Sequence, residues 1–311
     1  MTLWIIAGSL AMFMVPALLN SIGKKMEPGT WAKLVTASLV SGAFLFEFGF
    51  LLISAPPILS FIGFSNLAAI CRHMLGDLSP LGAPLAVGAV AVSIFVPISI
   101  FIHLSTTRRA VRASRIEFGV GSHSLLQCGS SLVILPESRA FGVSIPGEPD
   151  QIIVSQGLID SLDGEELEMV CDHEAAHLRL KHSKYLTLCA AFDSTFRFNP
   201  VVKVSTKVLR VALERWADET AAGDSLEKRL KLRSALISVA LIPQGKYLAT
   251  FSKVEGLMER IEALEAHSSH PFLLWWLVLL MPGITFTSIS GVVINSWGTQ
   301  MYCALSMASH C

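Results

Sequence analysis

Charged side chains are scarce in this sequence of 311 residues: Asp, Glu, Lys and Arg make up 15% of it, whereas hydrophobic residues make up 52%. An ordinary soluble domain carries about 25% charged residues. A deficit of this size argues against a water-soluble globule and against intrinsic disorder. The formal net charge is zero, so the sequence lacks the basic surface typical of a nucleic-acid-binding protein, and no direct nucleic-acid partner is expected. The composition indicates a membrane protein.

The sequence also lacks the features of a cleaved signal peptide and of a thiolate metal site. Only Met1 and Thr2 precede the first apolar run, so no basic region comes before it, and we interpret the run as a retained helix. None of the six cysteines belongs to a C-x-x-C pair. A zinc site built from cysteine thiolates is therefore not expected.

Four apolar runs are long enough to cross the roughly 30 Å hydrocarbon core of a bilayer as helices. They predict membrane spans at residues 3–22, 35–54, 81–104 and 272–294. Glu47 is the single formal charge within them; it marks either a functional site or a protonated carboxyl group with Ser or Thr partners. The predicted organisation is three spans in residues 1–104, a domain at 105–270, a fourth span within 271–294 and a short tail at 295–311.

Lys and Arg are concentrated in the loop after the first span and in the segment after the third. Because cytoplasmic loops carry an excess of these residues, both segments are predicted to be cytoplasmic. The protein is then a multi-pass protein of the cell membrane with both termini outside the cytoplasm. Three cysteines fall on the outer side, where a disulfide is chemically allowed but the sequence does not determine one: Cys71, Cys303 and Cys311.

The predicted cytoplasmic domain contains both strand and helix signals. Residues 141–144 and 151–155 read as two strands of a hairpin around the turn 146–150. Helical spacing and capping residues predict helices over 164–180, 201–222 and 226–241. The predicted fold class is a mainly α, multi-pass membrane protein with four transmembrane helices and a cytoplasmic α+β domain.

The segment His173–His177 is an H-E-x-x-H motif within a predicted helix. Residues four apart lie on the same face of a helix, so both imidazoles can reach one zinc ion. The carboxylate of Glu174 lies beside them, where it can take a proton from a metal-activated water. The motif predicts Glu174 as the catalytic base and His173 and His177 as metal ligands of a zincin-like metalloprotease domain.

A catalytic zinc needs a third protein ligand, and a downstream helix offers one. Glu214 and Asp218 lie four residues apart on one face of the helix predicted over 201–222. We expect Glu214 to complete the ligand set and Asp218 to orient a ligand or the backbone from behind it. His182 is expected to point to a different side of the helix from His177, at the surface or in a substrate cleft.

These residues resemble the BlaR/MecR-type membrane metallopeptidases, which are bacterial gluzincins. The resemblance runs from about Arg139 to Ala222 and includes Ala140–Gly142, Gln151–Leu158, the H-E-x-x-H motif, Phe198–Pro200 and Glu214–Asp218. It implies the same roles for His173, Glu174, His177 and Glu214, with Zn²⁺ as the cofactor. It also implies that the substrate is a cytoplasmic transcriptional repressor of the BlaI type, which is cleaved after a signal from outside the cell.

The chain departs from the sensors of this family, which carry a large penicillin-binding domain after the fourth span. Only residues 295–311 follow that span here, without a Ser-x-x-Lys motif, so a β-lactam signal is not expected.

The expected function is thus membrane-embedded zinc endopeptidase activity at the cytoplasmic face in signal transduction. One alternative is a processing or quality-control protease similar to the HtpX and CAAX-prenyl-protease group; another is a non-catalytic receptor or scaffold. The expected partners are a protein substrate and the lipid bilayer, and homo-oligomerisation is left open.

Overall fold

The structure is a computed structural model that describes residues 2–75, 82–118, 122–125, 131–242 and 256–265. Within these residues the chain is mainly helical and contains a small four-stranded sheet. The predicted span at 272–294, the tail at 295–311 and the cysteines Cys303 and Cys311 lie outside the described residues. Cys71 forms no disulfide with any other described residue.

The N-terminal part of the chain is built from helices, most of them apolar: α1 (Thr2–Leu18), α2 (Asn20–Gly23), α3 (Pro28–Phe61), α4 (Ser65–Leu75) and α5 (Gly82–Phe118). By length and composition, α3 and α5 can cross a bilayer; α3 contains the predicted span 35–54, and α5 contains residues 82–104 of the predicted span 81–104. Helix α1 is apolar but shorter. Glu47 lies in the middle of α3. The first and fourth spans and the membrane orientation stay predictions.

The remaining described elements are four strands and six helices: β1 (Ser122–Leu125), β2 (Ser131–Leu135), β3 (Gly142–Ile145), β4 (Gln151–Ser155), α6 (Gln156–Ile159), α7 (Gly164–Arg179), α8 (His182–Thr195), α9 (Pro200–Ala222), α10 (Leu226–Leu241) and α11 (Leu257–Glu265). The strand order is β1-β2-β4-β3. Strands β3 and β4 pair antiparallel, which confirms the predicted hairpin. The predicted helices correspond to α7, α9 and α10, whereas α8 and α11 were not predicted.

Local capping determines where the helices of the site begin. The side chain of Asp163 accepts from the backbone N–H of Glu166, and the Glu166 side chain bonds back to the Asp163 backbone, a capping box that starts α7. Asn199 caps α9, and Pro200 at its first position needs no hydrogen-bond acceptor. Because these signals are local in the sequence, the starts of both helices could be predicted.

Helices α8 and α9 form a hairpin that packs against the apolar N-terminal helices in one shared core. Phe13 of α1 contacts the rings of Phe192 and Phe196 on α8, at centroid distances of 6.5 and 5.5 Å. The hydroxyl of Ser205 on α9 donates to the carbonyl oxygen of Phe13 over 2.6 Å. The turn end of this hairpin therefore lies against α1, and Phe46 in the middle of α3 contacts the ring of Phe196 there, at a centroid distance of 5.7 Å.

The other end of α9 lies against the beginning of α3. A Cβ atom added to Gly29 would lie 2.6 Å from the ring of Trp216, so glycine is needed for the close approach of the two helices. Lys33 places its ammonium 5.2 Å from the centre of the same ring, a cation–π contact. Arg215 donates to the carbonyl oxygen of Lys24 over 2.9 Å. These contacts bring the part of α9 that carries Glu214 and Asp218 next to the first loop.

We expect Leu209→Ala to destabilise the protein by about 2–5 kcal/mol, because Leu209 is fully buried in the core shared by α9 and the apolar helices. The measurement is thermal unfolding of the detergent-solubilised protein. Leu230→Ala on α10 is the matched control: this side chain is 55% exposed, and the change should stay within about 0.5 kcal/mol. Equal losses in both variants would contradict the shared core.

Candidate metal centre

Helix α7 presents both histidines of the motif on one buried face. His173 is 5% exposed, Glu174 4% and His177 9%. The Nε2 atoms of His173 and His177 lie 3.1 Å apart, as expected for side chains one turn apart that share a ligand position. Burial of three polar side chains in succession is costly unless each has a partner, so this face of α7 must be matched by groups on other elements.

Glu214 of α9 supplies a carboxylate to the same point. Its Oε2 lies 3.4 Å from Nε2 of His173, and its Oε1 lies 3.7 Å from Nε2 of His177. Together the three side chains form a group whose ligand atoms could hold a metal ion. His177 and Glu214 are 37 residues apart in the sequence. Helix α8 and the turn at Asn199 lie between them and bring the two side chains together.

Asp218 lies behind His173, one turn beyond Glu214. Its Oδ1 is 2.9 Å from Nδ1 of His173, and it is 2% exposed. Burial would raise the pKa of Asp218, but the adjacent Arg260 guanidinium outweighs it and lowers the pKa to about 2. The carboxyl group is therefore ionised and accepts the Nδ1 proton of His173.

The pKa of His173 is raised in the absence of a metal. Burial acts to lower the pKa, but the hydrogen bonds to Asp218 and Glu214 outweigh burial and favour the protonated imidazole. A cation that binds at Nε2 replaces that proton, because the ligand form of histidine is neutral.

His182 differs from the sequence interpretation, which pointed it to another side of the helix, at the surface or in a cleft. Helix α7 ends at Arg179, and Lys181 adopts a left-handed conformation with φ of 55°. This turn directs the fully buried imidazole of His182 back, so that its Nδ1 lies 2.9 Å from Nδ1 of His177. Burial and the neighbouring His177 lower the pKa of His182 to about 3, which keeps it neutral.

Arg260 of α11 is a second residue that the sequence analysis missed. Its guanidinium donates to both carboxylate oxygens of Asp218, each over 2.7 Å, and lies 3.1 Å from Oε2 of Glu214. The side chain is 2% exposed. Nothing local in the sequence marks it, because arginine in a short charged helix is usually a solvated residue.

The donor set fits a divalent metal ion. Because the Nδ1 atoms of His173 and His177 face Asp218 and His182, their Nε2 atoms face each other over 3.1 Å. A proton on one ring relieves the repulsion between two lone pairs at this distance, and a metal cation bound by both nitrogens takes the place of that proton. The ligand-atom separations of 3.1, 3.4 and 3.7 Å are close to the roughly 3.3 Å expected around a tetrahedral ion with ligands at 2.0–2.1 Å.

Two histidines and a glutamate around one position, with Glu174 beside them, are the donor set of a metallopeptidase, here in a mainly helical chain with candidate membrane helices. Residues 144–264 match the family model described as BlaR1 peptidase M56. This match confirms the resemblance to the BlaR/MecR-type family and extends it from β3 to α11, including Arg260. No curated protein and no solved structure matches the chain.

We expect His182→Leu to weaken zinc binding by about 10- to 100-fold, because leucine keeps most of the buried volume but cannot form the hydrogen bond to Nδ1 of His177. The measurement is zinc content of the purified protein in competition with a chelator. His103→Leu on α5 serves as the control, since the half-buried His103 lies on a different element from the metal-binding histidines. Unchanged zinc affinity in folded His182→Leu would contradict this role.

Proposed function

We propose that this protein is a membrane-embedded zinc endopeptidase that hydrolyses peptide bonds at the cytoplasmic face of the membrane. The observation that carries the proposal is the convergence of His173, His177 and Glu214 on one point, with the buried Glu174 next to His173 on α7. The match to a peptidase family supports the reaction class. A purely structural zinc site would have four protein ligands, whereas three leave a position for water and substrate.

Zinc, when bound, polarises the scissile carbonyl and makes water at the site more acidic. Within the chain, Glu174 takes the proton of the attacking water and then delivers it to the nitrogen of the leaving amine. Asp218 and His182 hold the tautomers of His173 and His177 in which Nε2 is free for the metal. The reaction consumes one water for each peptide bond broken.

The natural substrate that we propose is a cytoplasmic transcriptional repressor, so that proteolysis serves signal transduction. The family resemblance supports this substrate class. The position of the site adds support, because the part of α9 that carries Glu214 lies against the loop with Lys24 and the beginning of α3, the predicted cytoplasmic end of a span. A site at that level is open to a protein that approaches from the cytoplasm.

We expect Glu174→Gln to retain zinc but to lower peptide hydrolysis by about 10²- to 10⁴-fold, because glutamine cannot accept the proton. The measurement compares newly formed protein N-termini in cells that carry the wild type or the variant. Glu168→Gln is the matched control, since Glu168 is an exposed residue of the same helix.

The identity of the cleaved protein separates the alternatives. A DNA-binding repressor whose new N-terminus depends on Glu174 supports the signalling role, and damaged membrane proteins or prenylated peptides would instead indicate quality control or processing. If wild type and Glu174→Gln produce identical N-termini although both bind zinc, the endopeptidase proposal fails and a receptor or scaffold role replaces it.

We further propose that an extended substrate pairs with β3, which is an edge of the described sheet. The backbone N–H of Ser155 donates to the carbonyl of Phe141, so the alternation of an antiparallel ladder turns the N–H groups of Gly142 and Ser144 away from β4. These outward groups can bind a substrate backbone.

Ser144→Pro tests this edge, because proline removes the outward N–H without removing a hydrogen bond between β3 and β4. We expect the KM for a peptide that spans the identified cleavage site to rise about three- to tenfold, the value of one hydrogen bond. Ser144→Ala, which changes only the side chain, should leave KM unchanged. An unaltered KM in Ser144→Pro would show that the edge is not used.

A further inference from the structure

Arg260 contacts two carboxylates that lie one helical turn apart on α9. Its Nε and Nη2 atoms bind Asp218 through two hydrogen bonds of 2.7 Å, while Nη1 lies 3.1 Å from Oε2 of Glu214. Only a planar guanidinium can present donors to both groups in this way, since an ammonium is a single charged point. Arg260 therefore reaches one metal ligand directly and a second, His173, through Asp218.

The charges around the site balance only when Arg260 is counted. Glu174, Glu214 and Asp218 are three carboxylates in or next to the buried cluster, and the Arg260 guanidinium contacts two of them, Glu214 and Asp218. With neutral histidines and one divalent cation, the cluster has no net charge. Without the guanidinium it would carry one uncompensated negative charge in a buried position, which is unfavourable in a medium of low dielectric constant.

Contacts other than those of Arg260 hold α11 against α9. Gly256, directly before α11, has a φ of 80°, and an added Cβ would lie 2.8 Å from Val211 of α9. Glu259 pairs with Lys24 over 3.0 Å and lies 3.8 Å from Arg215. Leu264 packs into a core with α10. Because these contacts do not involve residue 260, we expect α11 to stay packed in variants at this position. Such variants therefore test the effect of Arg260 on the metal centre.

We infer that Arg260 is a positioning residue of the metal centre, which orients the carboxylate of Glu214 and, through Asp218, the imidazole of His173. This inference rests on the proposed metal site. It makes α11, whose Arg260 lies 42 positions beyond Asp218 in the chain, a structural part of the centre. Metal binding and the docking of α11 then stabilise each other, because the same guanidinium takes part in both.

The test measures zinc affinity by chelator competition in the full-length, detergent-solubilised protein. We expect Arg260→Gln to lower the zinc affinity by about 10- to 100-fold, as removal of groups behind metal ligands typically does. Arg260→Lys keeps the positive charge but not the planar guanidinium that donates to two carboxylates. Its zinc affinity should fall between those of the wild type and Arg260→Gln. Arg233→Gln is the matched control: Arg233 pairs with Glu265 on the surface between α10 and α11, and its loss should leave the affinity unchanged.

Substitution of Co²⁺ for zinc gives a measurement that a general loss of protein stability does not change. The absorption bands of bound Co²⁺ report the ligands, so displacement of Glu214 in Arg260→Gln should alter them, and Arg233→Gln should reproduce the wild-type spectrum. Zinc affinity within twofold of wild type, together with an unchanged cobalt spectrum in Arg260→Gln, would overturn the inference. If Arg260→Gln does not fold, Arg260→Lys decides in the same assays, since wild-type behaviour there would equally overturn it.

The same assays separate this inference from the proposed function. If the wild type binds no zinc, or if His173→Ala binds it as tightly as the wild type, the metal site itself is wrong and the inference falls with it. If His173→Ala loses zinc while Arg260→Gln retains wild-type affinity, the metal site stands and only the role of Arg260 is refuted.

Discussion

The geometry of the candidate centre depends on one ion pair, between Asp218 of α9 and Arg260 of α11. Both side chains are 2% exposed, so each would be strongly unfavourable without the other. The pair keeps Asp218 ionised, and the ionised carboxylate holds the Nδ1 proton of His173. Nε2 of His173 then faces His177 and Glu214. A charge on one helix thus determines which nitrogen a histidine on another helix offers to a metal.

A second constraint is the core that helices of the candidate metal centre share with the apolar N-terminal helices. The hairpin of α8 and α9 packs against Phe13 and its neighbours, and the far end of α9 is held by Gly29 and Lys33 at the beginning of α3. The helix that carries Glu214 therefore has little freedom to move independently of α1 and α3. Any rearrangement of those helices would act directly on the position of a metal ligand.

Much of the candidate site could be predicted because its signals are local. The spacing of His173 and His177 places them on one face of a helix by periodicity alone, and the capping residues Asp163 and Asn199 mark the starts of α7 and α9. The alternating segments around the turn at 146–150 predicted the pairing of β3 with β4. Each of these features depends on residues within a few positions of one another.

The direction of the His182 side chain could not be predicted from the residues close to it in the sequence. Extension of the α7 periodicity to residue 182, five positions after His177, turns this side chain away from the motif, whereas the chain leaves the helix through a left-handed Lys181. Left-handed backbone is rare for lysine, so the sequence carries no signal for this turn. The unpredicted helix α8 begins directly after it, and packing of that helix with α9 and the apolar helices decides where His182 points.

The sequence by itself determined the chemical groups of this protein. It supplies an apolar composition suited to a membrane, two histidines one helical turn apart with a glutamate next to the first, and an acidic pair at the same one-turn spacing. The tertiary structure decided how these groups meet. Glu214, His182 and Arg260 reach the centre from three further helices, and the free energy that brings them there comes from burial of apolar side chains and from pairing of buried charges. Helical periodicity acts over a few residues, whereas these contacts span tens of residues and exist only once the helices have packed.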